Sequence, residues 1–217
     1  EVICHEAWSE SRQAFTESFG GDTLMKTGME MEKIGSTGQA IMHVEVNIRD
    51  NEGNSLPHGE EGEICLRGPK ITNGYWRDPA KTKAAFHSEN WLRSGDIGHL
   101  DKDGFLFLTD RKKDMIVSGG ENIYTTEVEA ALYQHSDIKE CAVVGVPDEK
   151  FGEALFAVIV TADGKKLTET DVINHCRERI GGYKIPRKMD FIAEMPKSAM
   201  GKILKNELRN IYGKIKI

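Results

Sequence analysis

With 217 residues the chain can bury a substantial core and hold one large or two small domains. Charged residues make up 29% and hydrophobic ones 39%, and the formal net charge of −6 gives no basis for nucleic acid or an anionic membrane as partner. No stretch reaches the length of a membrane span, and no basic segment followed by an apolar one opens the chain, so no signal peptide is expected. Cys4, Cys65, Cys141 and Cys176 are scattered and never paired as CxxC, which reads as reduced, mostly buried thiols in a cytoplasmic protein.

In chain order, residues 1–32 receive no functional role. Trp8, Phe15 and Phe19 fall on a weakly helical pattern that Gly20-Gly21 would end. Gly35-Ser36-Thr37-Gly38 lacks phosphate-loop spacing and reads as a turn before a strand. From Ile41 to Leu108 the pattern is β. Val44, Val46 and Ile48 alternate onto one face, 50–54 is a turn, and Gly62–Arg67 is a second strand. Asn73 to Trp76, with Asp78-Pro79 after it, reads as a turn carrying two aromatics. Asp101 to Gly104 has the look of a calcium loop but lacks the later ligands and closing Glu, so a hairpin turn is expected. Short strands with frequent turns predict a small barrel or a folded sheet.

Phe105 to Leu108 forms an apolar run, and Asp110 to Asp114 is then five charged residues, DRKKD. Such a block cannot be buried on both sides, so it marks a surface crossing between compact units. Beyond it, Thr126 and Glu129 fit a capping box for a helix with Val128, Ala131, Leu132 and His135 at helical spacing. Strands are expected at 140–146 and 154–161, bridged by Pro147-Asp148-Glu149, and a third at 189–193. A second capping box, Thr168 with Asp171, opens a helix through Val172, Ile173, Cys176 and Ile180 that ends at Gly181-Gly182. Lys205–Tyr212 closes the chain as a helix, with Leu204, Leu208 and Ile211 on one side. The fold class is thus α+β: a β-rich, barrel-like part, then a compact mixed domain of about a hundred residues.

Five stretches occur in a fixed order: SGDIG (94–98), GFLFLTDRKKDMIVSGGENIYTTEVEAAL (104–132), VVGVPDEKFGEALFAVIV (143–160), YKIPRKMDFI (183–192) and PKSAMGKILK (196–205). As an ordered set, from about Lys33 to Arg209, they resemble the C-terminal part of an adenylate-forming enzyme of the acyl-CoA synthetase kind. The resemblance implies a division into 1–32, unassigned; 33–110, the β-rich end of the large adenylating domain; and 111–217, a swinging C-terminal domain.

Adenylation brings a carboxylate onto the α-phosphate of ATP, so two anions meet and a cation is needed where charge gathers. Lys202 matches the family lysine that supplies it; outside its motif it would read as a solvated surface charge. The resemblance makes Asp96 the carboxylate that takes the ribose hydroxyls and Arg111 an arginine reaching the same ribose. Lys113 stands at the hinge, and Gly119 and Gly120 lie in the loop carried towards the CoA pantetheine channel. Thr125 stands where relatives commonly have proline. ATP, CoA, Mg2+ and a small-molecule carboxylate are the implied partners, with no metal site in the chain itself, since the seven histidines are dispersed. The Ser/Thr/Gly-rich phosphate loop ending in Lys and the acyl pocket are not among these residues, so the chain alone is expected to be inactive. An amino-acid-adenylating domain of a peptide synthetase and a non-catalytic binding module built on the fold are the alternatives.

Overall fold

The computed structural model describes residues 14–18 and 20–215 and divides the chain into two compact units between Lys112 and Lys113.

In the first unit, strand β1 (Ala14–Phe15) pairs antiparallel with β2 (Gly20–Gly21) across a 3-10 turn at Thr16–Ser18. The helix expected here is therefore corrected over its described part. A buried bond from the Ser18 hydroxyl to Asp22 Oδ2, 2.6 Å, folds the segment back on itself. Trp8 and Phe19 lie outside the described residues. The main sheet contains β3 (Thr23–Leu24), β4 (Ser36–Ala40), β5 (Glu45–Arg49), β6 (Gly62–Arg67), β7 (Leu92–Leu100) and β8 (Phe105–Arg111). Their order is β3-β4-β8-β7-β6-β5, antiparallel throughout, and the sheet is curled into a half-barrel as the strand-and-turn pattern foretells. Alternation sends Val44, Ile48, Ile64, Leu66, Leu92 and Leu106 to one buried face.

Two local expectations change and a third holds. Ser36-Thr37 is not a turn: both side chains are buried in β4, and the Ser36 hydroxyl donates to Leu106 O at 2.8 Å. Gly38 is required there, because a Cβ would lie 2.1 Å from the Leu24 backbone carbon. Asp78-Pro79 opens a short helix, α1 (Pro79–Ala84): the Asp78 carboxylate accepts from Lys81 N–H and Pro79 occupies the first turn. Asp101 to Gly104 is the expected hairpin turn, and Asp101 and Asp103 are both paired with Lys33 at 2.7 and 2.6 Å.

The second unit is built on β9 (Ile116–Ser118), β10 (Glu121–Ile123), α2 (Thr125–Tyr133), β11 (Ile138–Asp148), β12 (Gly152–Thr161), α3 (Glu169–Arg177), β13 (Lys188–Phe191) and α4 (Lys205–Tyr212). The β11–β12 hairpin is its spine, with β13 parallel to β12. Both faces of the hairpin are covered, which is why these strands read as continuous apolar runs. Val143, Leu155, Ala157 and Ile159 pack with Val128 and Leu132 of α2 and Val172 and Cys176 of α3. Val144, Val146, Phe156 and Val158 pack with Leu208 and Tyr212 of α4. Pro147 and Asp148 belong to the ladder and are not the bridge between strands. β11 lies at the edge of the sheet, where a missing N–H is tolerated.

The Thr168–Asp171 capping box forms as expected, although its helix ends at Arg177 and not at the glycines. Thr126 is not the N-cap expected of it: the helix begins at Thr125 with Tyr124 at the cap, and the Glu129 carboxylate accepts from Val143 N–H at 2.7 Å and pairs with Lys205 at 2.7 Å. In α4 the inward position falls on Tyr212, whose ring stacks on Phe156 and whose hydroxyl donates to Asp190, leaving Ile211 60% exposed. No helix among the described residues is long and apolar enough to cross a membrane.

Candidate active-site residues

The first-unit residues meet where β7 and β8 pair. Asp96 stands opposite Arg111 in the ladder, and Arg111 Nε lies 3.4 Å from Asp96 Oδ1. The two differ in exposure: the Asp96 side chain is almost fully buried, whereas that of Arg111 is 64% exposed and lies at the rim. A buried carboxylate beside a solvated guanidinium offers two acceptor oxygens to a diol. The corner before Asp96 is shaped by Gly95, at φ 75°, and by the Ser94 hydroxyl, which accepts from Asp96 N–H at 3.0 Å.

Sequence reading missed what holds this corner. Glu63 of β6, 3% exposed, accepts from Gly95 N–H at 3.3 Å through Oε1. Its Oε2 pairs with Lys112 at 2.8 Å and Arg93 at 3.0 Å. Burial opposes its charge, but Lys112 and Arg93 outweigh burial and hold the carboxyl below the usual glutamate value. Lys112 N–H also donates to Gly95 O at 2.8 Å. No spacing rule joins Glu63 to Lys112; the strand order β6-β7-β8 does. Within the DRKKD block, Asp110 is buried at the end of β8 and Lys113 is exposed, so the block is a crossing with one buried foot.

In the second unit, Ser118 and Glu121 pair across Gly119 and Gly120, whose φ values of 62° and 88° make a two-residue hairpin turn that favours glycine at both places. Gly119 N–H donates to Phe151 O at 2.9 Å, tying the turn to the start of β12. Lys202 sits on a loop closed by the Lys197–Ile203 bridge, with Ser198 N–H donating to Lys202 O at 2.8 Å and Gly201 at φ 80°. Lys197 anchors the base of the loop to Glu140 of β11. Lys202 itself is exposed, and its ammonium makes no ion pair among the described residues. Among the described residues no three His, Cys, Asp or Glu gather as a metal site.

Asp96 is thus buried beside rim Arg111 on the curled sheet, and Lys202 is exposed on a glycine-turned loop of the second unit. Residues 14–76 match the AMP-binding enzyme family and residues 127–202 the AMP-binding enzyme C-terminal domain. The chain belongs to this family. It is 42% identical over 199 residues to the long-chain-fatty-acid–CoA ligase FadD13 of Mycobacterium tuberculosis, covering 92% of this chain and 39% of that protein. It is 40% identical over 198 residues to a feruloyl-CoA synthase of Amycolatopsis sp, covering 91% and 40%. Among solved structures, ATP-bound MatB of Rhodopseudomonas palustris superposes with a TM-score of 0.86 at 33% identity, over 94% of this chain and 40% of that one. The chain thus spans about two fifths of the length of the curated relatives it matches.

Proposed function

We propose that this chain carries the nucleotide corner and the mobile second unit of an AMP-forming acyl-CoA synthetase, which activates a carboxylic acid with ATP and passes the acyl group to CoA. The observation that carries the reading is the division of labour between the two units. Asp96 is buried and fixed, while Lys202 is exposed and unpaired on a loop of the other unit. Asp96 accepts the ribose hydroxyls, and Arg111 at the rim reaches the same sugar. Lys202 brings its ammonium to the α-phosphate, where carboxylate and phosphate charges converge; a compact cation on a long stem suits a contact made only in the transition state. Lys113 is the hinge, and the Gly119-Gly120 turn travels with the second unit towards the pantetheine thiol. Mg2+ would be held mainly by other parts of such an enzyme, and no step assigned to this chain runs through it. The printed names of the relatives are those of CoA ligases for several acids, which supports thioester formation without choosing the acid.

The test is a chimera in which this chain replaces the matching part of a full-length relative. Supplied with ATP, CoA and a panel of aliphatic and aromatic acids, it should release pyrophosphate and form acyl-CoA, whereas the 217-residue chain alone should do neither. Lys202→Ala should lower the overall rate by about two to three orders of magnitude, the value of one preorganised transition-state contact. An unchanged rate in that variant would remove Lys202 from the chemistry.

A further inference from the structure

The break between the units falls at Lys113, and the residues on either side of it are tied down in opposite directions. Before it, Lys112 is held twice within the first unit: its ammonium lies 2.8 Å from Glu63 Oε2 and its backbone N–H donates to Gly95 O at 2.8 Å. After it, the Asp114 carboxylate pairs with the Arg209 guanidinium, wholly within the second unit. Arg209 projects from α4, a helix whose Leu208 and Tyr212 are packed in the core, so Asp114 is fixed to a rigid element. All four side chains are at least two-thirds buried. Lys113 lies between them, exposed and with no side-chain hydrogen bond or ion pair among the described residues.

We infer that the Glu63–Lys112 and Asp114–Arg209 pairs confine the bend between the units to Lys113, which makes Glu63 and Arg209 positioning residues for the domain rotation. The inference rests on the hinge role of Lys113 given above. A peptide unit is planar and each residue contributes only φ and ψ, so a bend restricted to one residue has two soft torsions. Loosening either neighbour adds two more, and the second unit would then reach its working orientations among many others. Glu63 has a further part, because its other oxygen accepts from Gly95 N–H beside Asp96. One buried carboxylate therefore fixes both the nucleotide corner and the near end of the pivot. Sequence inspection places Lys113 in a run of five charges that look equivalent; the structure shows that its two neighbours are fastened and it is not.

The experiment measures distances between spin labels at Glu60→Cys and Lys166→Cys, both exposed, in the whole 217-residue chain carrying Cys4→Ser. The buried thiols of Cys65, Cys141 and Cys176 are all pushed up by burial, the first two to about 12, so they do not compete for label. Arg209→Gln, Asp114→Asn and Glu63→Gln should each raise the population outside the main distance peak roughly two- to fivefold, the effect of losing one partly exposed ion pair. The charge-swapped pair Asp114→Arg with Arg209→Asp should restore the original distribution, which a merely structural role would not require. Thermal melting of each variant shows whether its units remain folded; if Glu63→Gln unfolds the first unit, the Asp114–Arg209 arm decides. Lys113→Pro fixes φ and should narrow the distribution. If Lys113→Pro changes nothing, the hinge reading itself fails. If Lys113→Pro narrows the distribution while Arg209→Gln and Asp114→Asn leave it as it was, the hinge stands and the confinement proposed here is overturned.

Discussion

The nucleotide corner of the first unit and the lysine loop of the second are built on opposite plans. Asp96 is buried at a strand pairing, its corner backed by Glu63, and Glu63 is in turn clasped by Lys112 and Arg93. Lys202 has a loop anchored only at its base, through Lys197 and Glu140, and an ammonium left in solvent. The difference follows from what each residue does in the proposed reaction. A group that binds nucleotide throughout the cycle gains from preorganisation; a cation needed in one step and withdrawn for the next gains from having no partner to abandon. A fixed ion pair on Lys202 would have to be broken at every turnover.

That contrast can be broken at several points, and the largest effect is expected at Asp96. In the chimera, Asp96→Asn should raise KM for ATP about 10- to 100-fold, the loss of charge-assisted hydrogen bonds to the ribose, with a smaller change in kcat. A fall in kcat with KM unchanged would place Asp96 outside the binding site. Next is Glu63, whose removal leaves Lys112 and Arg93 without their shared carboxylate. Glu63→Gln should destabilise the first unit by about 2 kcal/mol in urea unfolding at neutral pH. The sign of its pH dependence follows from its lowered value. The folded state binds this proton less readily than the unfolded chain, so the contribution is present above the ordinary glutamate value of 4.5 and is lost as pH falls below it. In Glu63→Gln that acid-side loss should shrink; an unaltered acid profile would show that the cluster is not what holds the corner.

A smaller effect is expected at the Gly119-Gly120 turn. Gly120 has φ 88° with open space around it, so Gly120→Ala should cost about 1 kcal/mol from backbone strain alone and no more, read as a shift in the melting of the second unit. Smallest in energy is a test of the junction: limited trypsin digestion should cut first after Lys113. Early cleavage elsewhere, with this bond protected, would contradict an exposed crossing.

Much of the scaffold is legible in the sequence because it rests on local rules. The alternation of Val44, Val46 and Ile48, the Asp101–Gly104 turn, the Thr168–Asp171 box and the helix at Lys205–Tyr212 all stand as read. What fails does so where a distant partner outbids a local one. Glu129 reaches across to Val143 and Lys205, and Tyr212 takes the buried place that spacing gives to Ile211. Helix α1 was within reach, since Asp78 followed by Pro79 is a start signal as well as a turn signal. For the site, the motifs single out Asp96, Arg111, Lys113, Gly119, Gly120 and Lys202, whose parts are those proposed above. Glu63 carries no motif, and its importance comes from three strands that bring Arg93, Gly95 and Lys112 to one carboxylate.

The central claim is that two regions of the second unit serve two different half-reactions, and it is tested by running those halves apart. In the chimera, Lys202→Ala and Gly120→Trp are each assayed in pyrophosphate release from acid and ATP, and separately in acyl-CoA formation from synthetic acyl-adenylate and CoA. Lys202→Ala should lose the first by about two to three orders of magnitude and keep the second, while Gly120→Trp should do the reverse. Equal loss of both half-reactions in Lys202→Ala would make that lysine structural and contradict the account.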